Sequence, residues 1–487
     1  MKSLMPRRLP PIEGEGHDTD FRSLPSTWSG LEKLKMDVNF LRPDSGGQSP
    51  GPKGTFRSLF TARDTLKRVT VNSLWLAVDN VFRLGVAFLV SAWVARHLGP
   101  DRFGVLSYAM AFCAPFSVLV SLGLNTIVVR NLVREPSAAG EILGTVAGLK
   151  FTGALVALMT CSVAASLAAS VDERAFALVI LTVAGMTFQS ADVFDLWFQS
   201  QGRARISAWV RSSAALAMNV GRVAMILCDA PLPWFAASAG IELALCAIGW
   251  GLAFRQRSHA GPWRFHWRRA ASLLETCWPV AVAGLAIQIQ AYFDQVLLAI
   301  LRDFSQVGYY AAALRLVAVF GFIPMALQAA AAPEITRAHI ADREIYLRRL
   351  RNLYRLVMVA FVFVALPFVL IPDQVVQIVF GSGYELTALL LPLLAIRILL
   401  FNLGVVRSLH IANEGIFRFA MVTALVGAVF NLGLNVLLIP RWGALGCVVS
   451  ALLSFSINTL ALECLHPKAR VNLGLMLAAV GLRRLPV

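Results

Sequence analysis

From Val71 to Cys464 the chain alternates between apolar stretches, each near ~20 residues long, and short polar turns. That length fits a helix crossing a bilayer, where every backbone polar group must be satisfied within the segment. The pattern predicts spans at 72–96, 104–127, 143–168, 175–198, 206–228, 232–254, 274–300, 306–331, 353–372, 385–405, 416–438 and 442–464. The predicted fold class is therefore an all-α polytopic membrane protein with about 12 transmembrane helices. A last apolar stretch, 471–482, is too short to span and is followed by Arg483 and Arg484, so it reads as an interfacial tail.

Lys and Arg fall mostly in every second turn. With an N-terminus in the cytoplasm, 33 of the 44 basic residues lie on that side, Arg407 and Arg418 sharing one of its turns, and five, Arg96, Arg102, Arg174, Arg302 and Arg441, on the other. The positive-inside rule then places both termini in the cytoplasm. Reporters fused after Gly261 and after Ala341 are expected to be cytoplasmic, and one after Asp229 external. An external signal at Gly261 would overturn the span count.

Composition sharpens this picture. The 487 residues are 57% hydrophobic with a mean hydropathy of +0.67. A bundle whose outer face meets lipid needs that much apolar surface. The net charge of +16 sits in membrane-flanking turns and tails and not in a compact basic domain, so nucleic acid is not an expected partner. The seven cysteines lie in spans or at their ends and form no CxxC pair, so they read as small apolar filler. Residues 1–66 hold Pro10-Pro11, Gly46-Gly47 and Pro50-Gly51-Pro52 with no spanning run, and read as a disordered cytoplasmic tail.

The turn 255–273, with Trp263, Trp267 and five arginines, divides the ladder into 71–254 and 274–464, six spans each, before a tail at 465–487. A weak repeat supports the division. Arg102-Phe103-Gly104 leads to Tyr108-Ala109 in the first half, and Val307-Gly308-Tyr309-Tyr310-Ala311 occupies the matching place in the second. Two halves of six spans share one orientation and would be related by an axis along the membrane normal.

Six basic residues are stranded inside spans: Arg83, Lys150, Arg211, Arg222, Arg315 and Arg397. The acids there are Asp79, Asp192, Asp195, Glu242 and Asp294. A charge at the bilayer centre costs ~2.5–3.5 kcal/mol even on the mildest scale, so these groups should face a wet cavity or one another. Asp79 and Arg83 are spaced to pair on one helix face as well as to meet a ligand. Arg222 reads as snorkelling to the interface, and Lys150 is near enough to the inner face to do the same. Asp192 and Asp195 read as partners of Arg203 or of local packing. Arg211, Arg315 and Arg397 have no acid one turn away and read as cavity cations, and Arg83 and Lys150 join them as candidate substrate-binding cations. Arg forks from both halves suit the oxygens of a phosphate. Asp294 has no basic residue one turn away and, with Asp79, is a candidate coupling acid.

No Walker loop, HExxH or GxSxG occurs, so neither ATP use nor a catalytic centre is expected, and no metal or cofactor. Several ordered motifs do carry a resemblance. They are Ala95-Arg96-His97-Leu98-Gly99-Pro100 through Phe103-Gly104, Leu122-Gly123-Leu124 with Arg130, and Asp195-Leu196-Trp197-Phe198-Gln199 before Gly202. In the second half come Gly308-Tyr309-Tyr310, Ala313-Leu314-Arg315, Ile323-Pro324 with Pro333, and Phe380-Gly381-Ser382-Gly383-Tyr384. In these residues the chain resembles the polysaccharide exporter or O-antigen flippase (Wzx-like) family. The wider superfamily also holds the multidrug and toxin extrusion (MATE) antiporters and the lipid II flippase.

The resemblance implies two six-helix lobes around a central cavity and the flipping of undecaprenyl-pyrophosphate-linked oligosaccharide by alternating access. It implies a place in lipopolysaccharide, capsule or exopolysaccharide biosynthesis at the cell inner membrane. Its partners would be the lipid-linked oligosaccharide, membrane lipid and polysaccharide polymerase machinery, with the flippase itself a monomer. Arg315 lies in one of the shared motifs, whereas Arg83, Lys150, Arg211 and Arg397 rest on the physical reading alone. An ion-coupled multidrug antiporter and a lipid II flippase are the alternatives. The first needs an acidic cavity, and here bases match or outnumber acids.

Overall fold

The computed structural model describes residues 52–168, 172–257 and 261–479, with side chains from Arg83 onward. The chain divides into two compact units, Met1–Val71 and Asn72–Val487. In the first, the described part is the opening of helix α1 (Pro52–Cys113). Residues 1–51 of the expected tail lie outside the described residues. The helix starts upstream of the predicted tail end at 66, since nothing between Thr55 and Leu84 is a proline or glycine that would stop it.

The second unit is helical throughout its described regular structure. After α1 come α2 (Ser117–Ser121), α3 (Asn125–Arg134), α4 (Ala139–Ala168), α5 (Glu173–Met186), α6 (Val193–Ser200), α7 (Ala204–Leu227) and α8 (Leu232–Arg257). The later part holds α9 (Trp267–Leu301), α10 (Phe304–Ala318), α11 (Phe322–Ala341), α12 (Arg343–Leu370), α13 (Pro372–Phe380), α14 (Glu385–Glu414), α15 (Phe417–Trp442), α16 (Ala444–Ser456) and α17 (Pro467–Ala479). Ten runs among the described residues are long and apolar enough to cross a membrane. One of them, Arg83–Arg134, contains two predicted spans, because α1 breaks at Gly99 with φ 71° and restarts at Pro100. Helix α7 adds another crossing that its own Arg211, Arg222 and Asn219 hide from a hydropathy test. Together they account for the twelve predicted spans.

The repeat seen in the sequence reappears as geometry. The second span breaks into a 3-10 turn at Ala114–Phe116, and the eighth at Val319–Gly321. Each break follows the paired glycine by the same length of helix, within a residue or two. The two spans also meet reciprocally. A Cβ on Gly104 would fall on the Phe304 carbonyl, and one on Gly308 on the Pro100 carbonyl. Tyr384 donates to the Ala95 carbonyl at 2.7 Å nearby. These contacts join the two halves at the end of the bundle where bases are few. Gly104→Ala and Gly308→Ala should each destabilise this packed state by ~1–3 kcal/mol, the usual cost of overpacking. The check is the thermal midpoint of the purified protein, with Gly85→Ala, where a Cβ meets nothing within 4 Å, as the unperturbed control.

At the opposite end a strap from the turn between the halves lies across the first half. Gly140, Gly144 and Gly148 form a bare stripe along α4, and the backbone of Gly261–Arg264 and the ring of Phe265 fill it. Arg269 fixes the strap through Glu141 at 2.8 Å and Glu135 at 3.0 Å. Residues 261–269 of that turn are thus docked to one half.

Two expectations about the second half need correction. The tail after residue 465 is not merely interfacial: α17 packs against α12, and buried Asn472 links Tyr354 (2.7 Å) and Glu463 (3.0 Å). Arg407 does not lie in a turn. It is buried within α14, pairs with Glu463 at 2.6 Å and donates to Thr423 at 3.0 Å. The helix continues to Glu414 because that pair neutralises the charge inside the bundle.

Candidate functional site

The stranded charges fall into separate groups. In the first half, α4 carries Lys150 with its side chain fully enclosed. Its Nζ donates to Asp192 at 2.5 Å and to Asn125 at 2.8 Å. Asp192 closes a 3-10 run, Thr187–Asp192, that interrupts the fourth span between α5 and α6. One turn further, Asp195 accepts from Arg211 of α7 at 2.7 Å, from Gln199 at 3.1 Å and from the Ser207 hydroxyl. Arg211 lies 5.8 Å from the Trp250 ring centre and keeps 44% of its side chain exposed.

This arrangement corrects the sequence reading. Asp192 and Asp195 serve Lys150 and Arg211, not Arg203. Lys150 is not an open cavity cation, because both of its hydrogen-bond partners are already in place. Arg222 does not simply snorkel. It binds Glu242 at 2.8 Å, Ser238 at 3.0 Å and Asn219 at 3.1 Å between α7 and α8.

Arg315 differs from these. It leaves α10 one turn before the break in the eighth span, donates to the Ser91 hydroxyl of α1 and lies 4.5 Å from the Phe103 ring centre. Its remaining contact is the Met110 sulfur at 4.0 Å. Among the described residues Arg315 meets no carboxylate, and all three contacts are in the other half of the chain. A half-buried guanidinium held by a hydroxyl, a ring face and a thioether keeps its full charge for an incoming anion.

Arg397 on α14 lies 5.5 Å from the Phe455 ring centre, and its charge acts on Asp294 of α9. Asp294 is buried, accepts from the Tyr310 hydroxyl and takes the Gln295 amide at 3.1 Å. It therefore has polar partners that its neighbours along the helix did not reveal. Arg83 is half-buried on α1 and has a partner of its own. The side chain of Asp79 lies outside the described residues. Among those described, no three His, Cys, Asp or Glu side chains converge as metal ligands.

The described residues thus form an all-α bundle of membrane-length helices with charged side chains inside both halves. The chain belongs to the polysaccharide biosynthesis protein family, whose pattern matches residues 69–339. It is 23% identical over 393 residues to the probable low-salt glycan biosynthesis flippase Agl15 of Haloferax volcanii, covering 80% of this chain and 81% of that one. Its fold is similar to the lipid II flippase MurJ in an inward closed conformation, with TM-score 0.67, 12% identity, and 84% and 91% of the two chains covered. It is also similar to an inward-facing multidrug resistance MATE family transporter of the MOP superfamily, with TM-score 0.64, 12% identity, and 80% and 95% covered.

Proposed function

We propose that the protein is a flippase for a lipid-linked oligosaccharide, carrying a polyprenyl-pyrophosphate head across the cytoplasmic membrane for cell-surface polysaccharide assembly. It is a carrier and not an enzyme. The observation that carries the reading is Arg315, an inward cation from one half that, among the described residues, is held by neutral groups of the other. Family membership and the glycan flippase relative support the substrate class. Desolvating a pyrophosphate without a counter-charge is prohibitive, so the route needs fixed cations. Arg315 leads this set, Arg397 joins it from the second half, and Arg83 and Arg211 line it from the first.

Alternating access follows from the contacts between halves. The end with few bases is sealed by the reciprocal glycine contacts and the Tyr384 bond, and Arg315 adds a bond to Ser91. We read this as the substrate-receiving state, with the sealed end facing away from the cytoplasm and both termini on the cytoplasmic side. An anion that captures Arg315 withdraws it from Ser91 and Phe103, and so weakens the seal on the side toward which substrate must leave.

The test is a leaflet-access assay in proteoliposomes with a fluorescent polyprenyl-pyrophosphate oligosaccharide loaded in one leaflet. Protein-dependent exposure of the sugar to an enzyme on the other side is expected. Transfer no faster than in protein-free vesicles would refute the reading.

A further inference from the structure

Two cations of the first half, Lys150 and Arg211, are covered by carboxylates from one short segment, and among the described residues this has no counterpart at Arg315. Asp192 and Asp195 stand three residues apart, on the same side of the chain where the fourth span changes from a 3-10 run into α6. Asp192 covers Lys150, and Asp195 covers Arg211. Lys150 is the more completely covered, with none of its side chain exposed, while the Asp192 side chain keeps 16% and Asn125 is exposed. The acid and the amide thus stand on the open side of the ammonium, between it and any entering ligand. The other charges acting on Asp192 are Asp195 and Arg211.

A buried ion pair of this kind is a poor source of stability, since desolvating both charges offsets most of their attraction. It does keep an enclosed cation satisfied while no ligand is present. The 3-10 run supplies a means of release. Its hydrogen bonds are poorer than those of an α-helix, and a 3-10 stretch inside a longer helical element commonly marks a hinge. The close backbone contact of Gly185 with Gly240 anchors the segment just before the run, so movement falls on Thr187–Asp192 and α6.

We infer that Asp192 is a built-in stand-in for the substrate's phosphate: it occupies Lys150 in the empty carrier and is displaced when a pyrophosphate group engages that lysine. Asp195 masks Arg211 in the same way, and one shift of the segment uncovers both. The ligand class is a pyrophosphate diester dianion, esterified to lipid at one end and sugar at the other, whose oxygens compete with a carboxylate for the same donors. The inference rests on the anion-carrier reading above and deepens it. It makes Asp192 a positioning residue that sets affinity without touching the substrate.

The experiment measures binding of inorganic pyrophosphate to the purified full-length protein. Asp192→Asn should bind about tenfold tighter than wild type, the worth of one charge-assisted hydrogen bond no longer competed for. Adding Lys150→Gln to that variant should remove the gain. Unchanged affinity in Asp192→Asn would overturn the inference. A second measurement needs no variant. Carbodiimide labelling of Asp192 in the wild type, read by mass spectrometry, should rise on adding pyrophosphate, and constant labelling would equally overturn it. Arg315→Gln separates the two readings. If it abolishes pyrophosphate binding while both Asp192 results fail, the mask is wrong and the anion carrier stands. If wild type binds no pyrophosphate at all, both fall.

Discussion

Arg315→Ala should reduce export of the lipid-linked oligosaccharide by at least about a hundredfold, the worth of two charge-assisted hydrogen bonds to a phosphate. The reason lies in its surroundings. The other inward bases Lys150, Arg211 and Arg222 already satisfy a carboxylate, so removing one of them also frees an acid. Among the described residues Arg315 meets Ser91, Phe103 and Met110 and no carboxylate, so its loss removes positive charge outright. Arg315→Lys should retain part of the activity, because an ammonium keeps the charge but not the planar fork. Truncating an exposed arginine of the same chain, Arg257, should do little. Each variant must insert normally, since Arg315 also bridges the halves. Ser91→Ala removes the bridge while keeping the cation, and is expected to retain export. Equal loss in Ser91→Ala and Arg315→Ala would mean that Arg315 holds a helix contact and no ligand.

The largest stability effect is expected far from that cation. Arg407 and Glu463 are 9% and 1% exposed, and Thr423 and Asn472 complete their hydrogen bonds. Glu463→Ala strands a buried guanidinium and should cost ~3–5 kcal/mol. The double variant Arg407→Met with Glu463→Leu removes both charges and should recover most of that loss. Thermal midpoints of the three purified proteins check the ordering. A double variant as unstable as the single one would show that the pair is worth more than its apolar replacement. Glu463 also holds α17 through Asn472, so Glu463→Ala should expose the chain after Pro467 to proteolysis.

Much of this molecule could be read from its sequence, because a bilayer imposes lengths that a chain cannot disguise. The spans follow from apolar runs, and even α7, diluted by Arg211, Arg222 and Asn219, was placed by the turns on either side of it. Arg315 was recognisable because it had no acid one turn away, and among the described residues none reaches it from another helix. The inner-face reading of Lys150 missed the acid that reaches it, and the same one-turn test missed the acid that reaches Arg211. Their partners stand 42 and 16 residues off, on a segment whose 3-10 geometry no local pattern announced. The partner of Asp294 was hidden for a similar reason, since Tyr310 reaches it from the next helix. Arg407 was assigned to a turn because a charge near a span end usually belongs there. Glu463, 56 residues on, makes it part of the interior. One sign was present but unused. Gly140, Gly144 and Gly148 repeat every four residues, which marks a bare stripe awaiting another backbone, and the strap at 261–265 fills it. Helix periodicity and bilayer length are local properties, whereas charge compensation is tertiary, so the fold was legible where the state of its charges was not.

The central claim is that fixed arginines carry the pyrophosphate through the membrane. The most direct measurement is lipid-linked oligosaccharide export in a protein with Arg211, Arg315 and Arg397 all changed to Gln, at matched insertion. Gln preserves length and hydrogen bonding while removing charge. The account expects export at the level of vesicles or cells lacking the protein. Unimpaired export by the triple variant would contradict it.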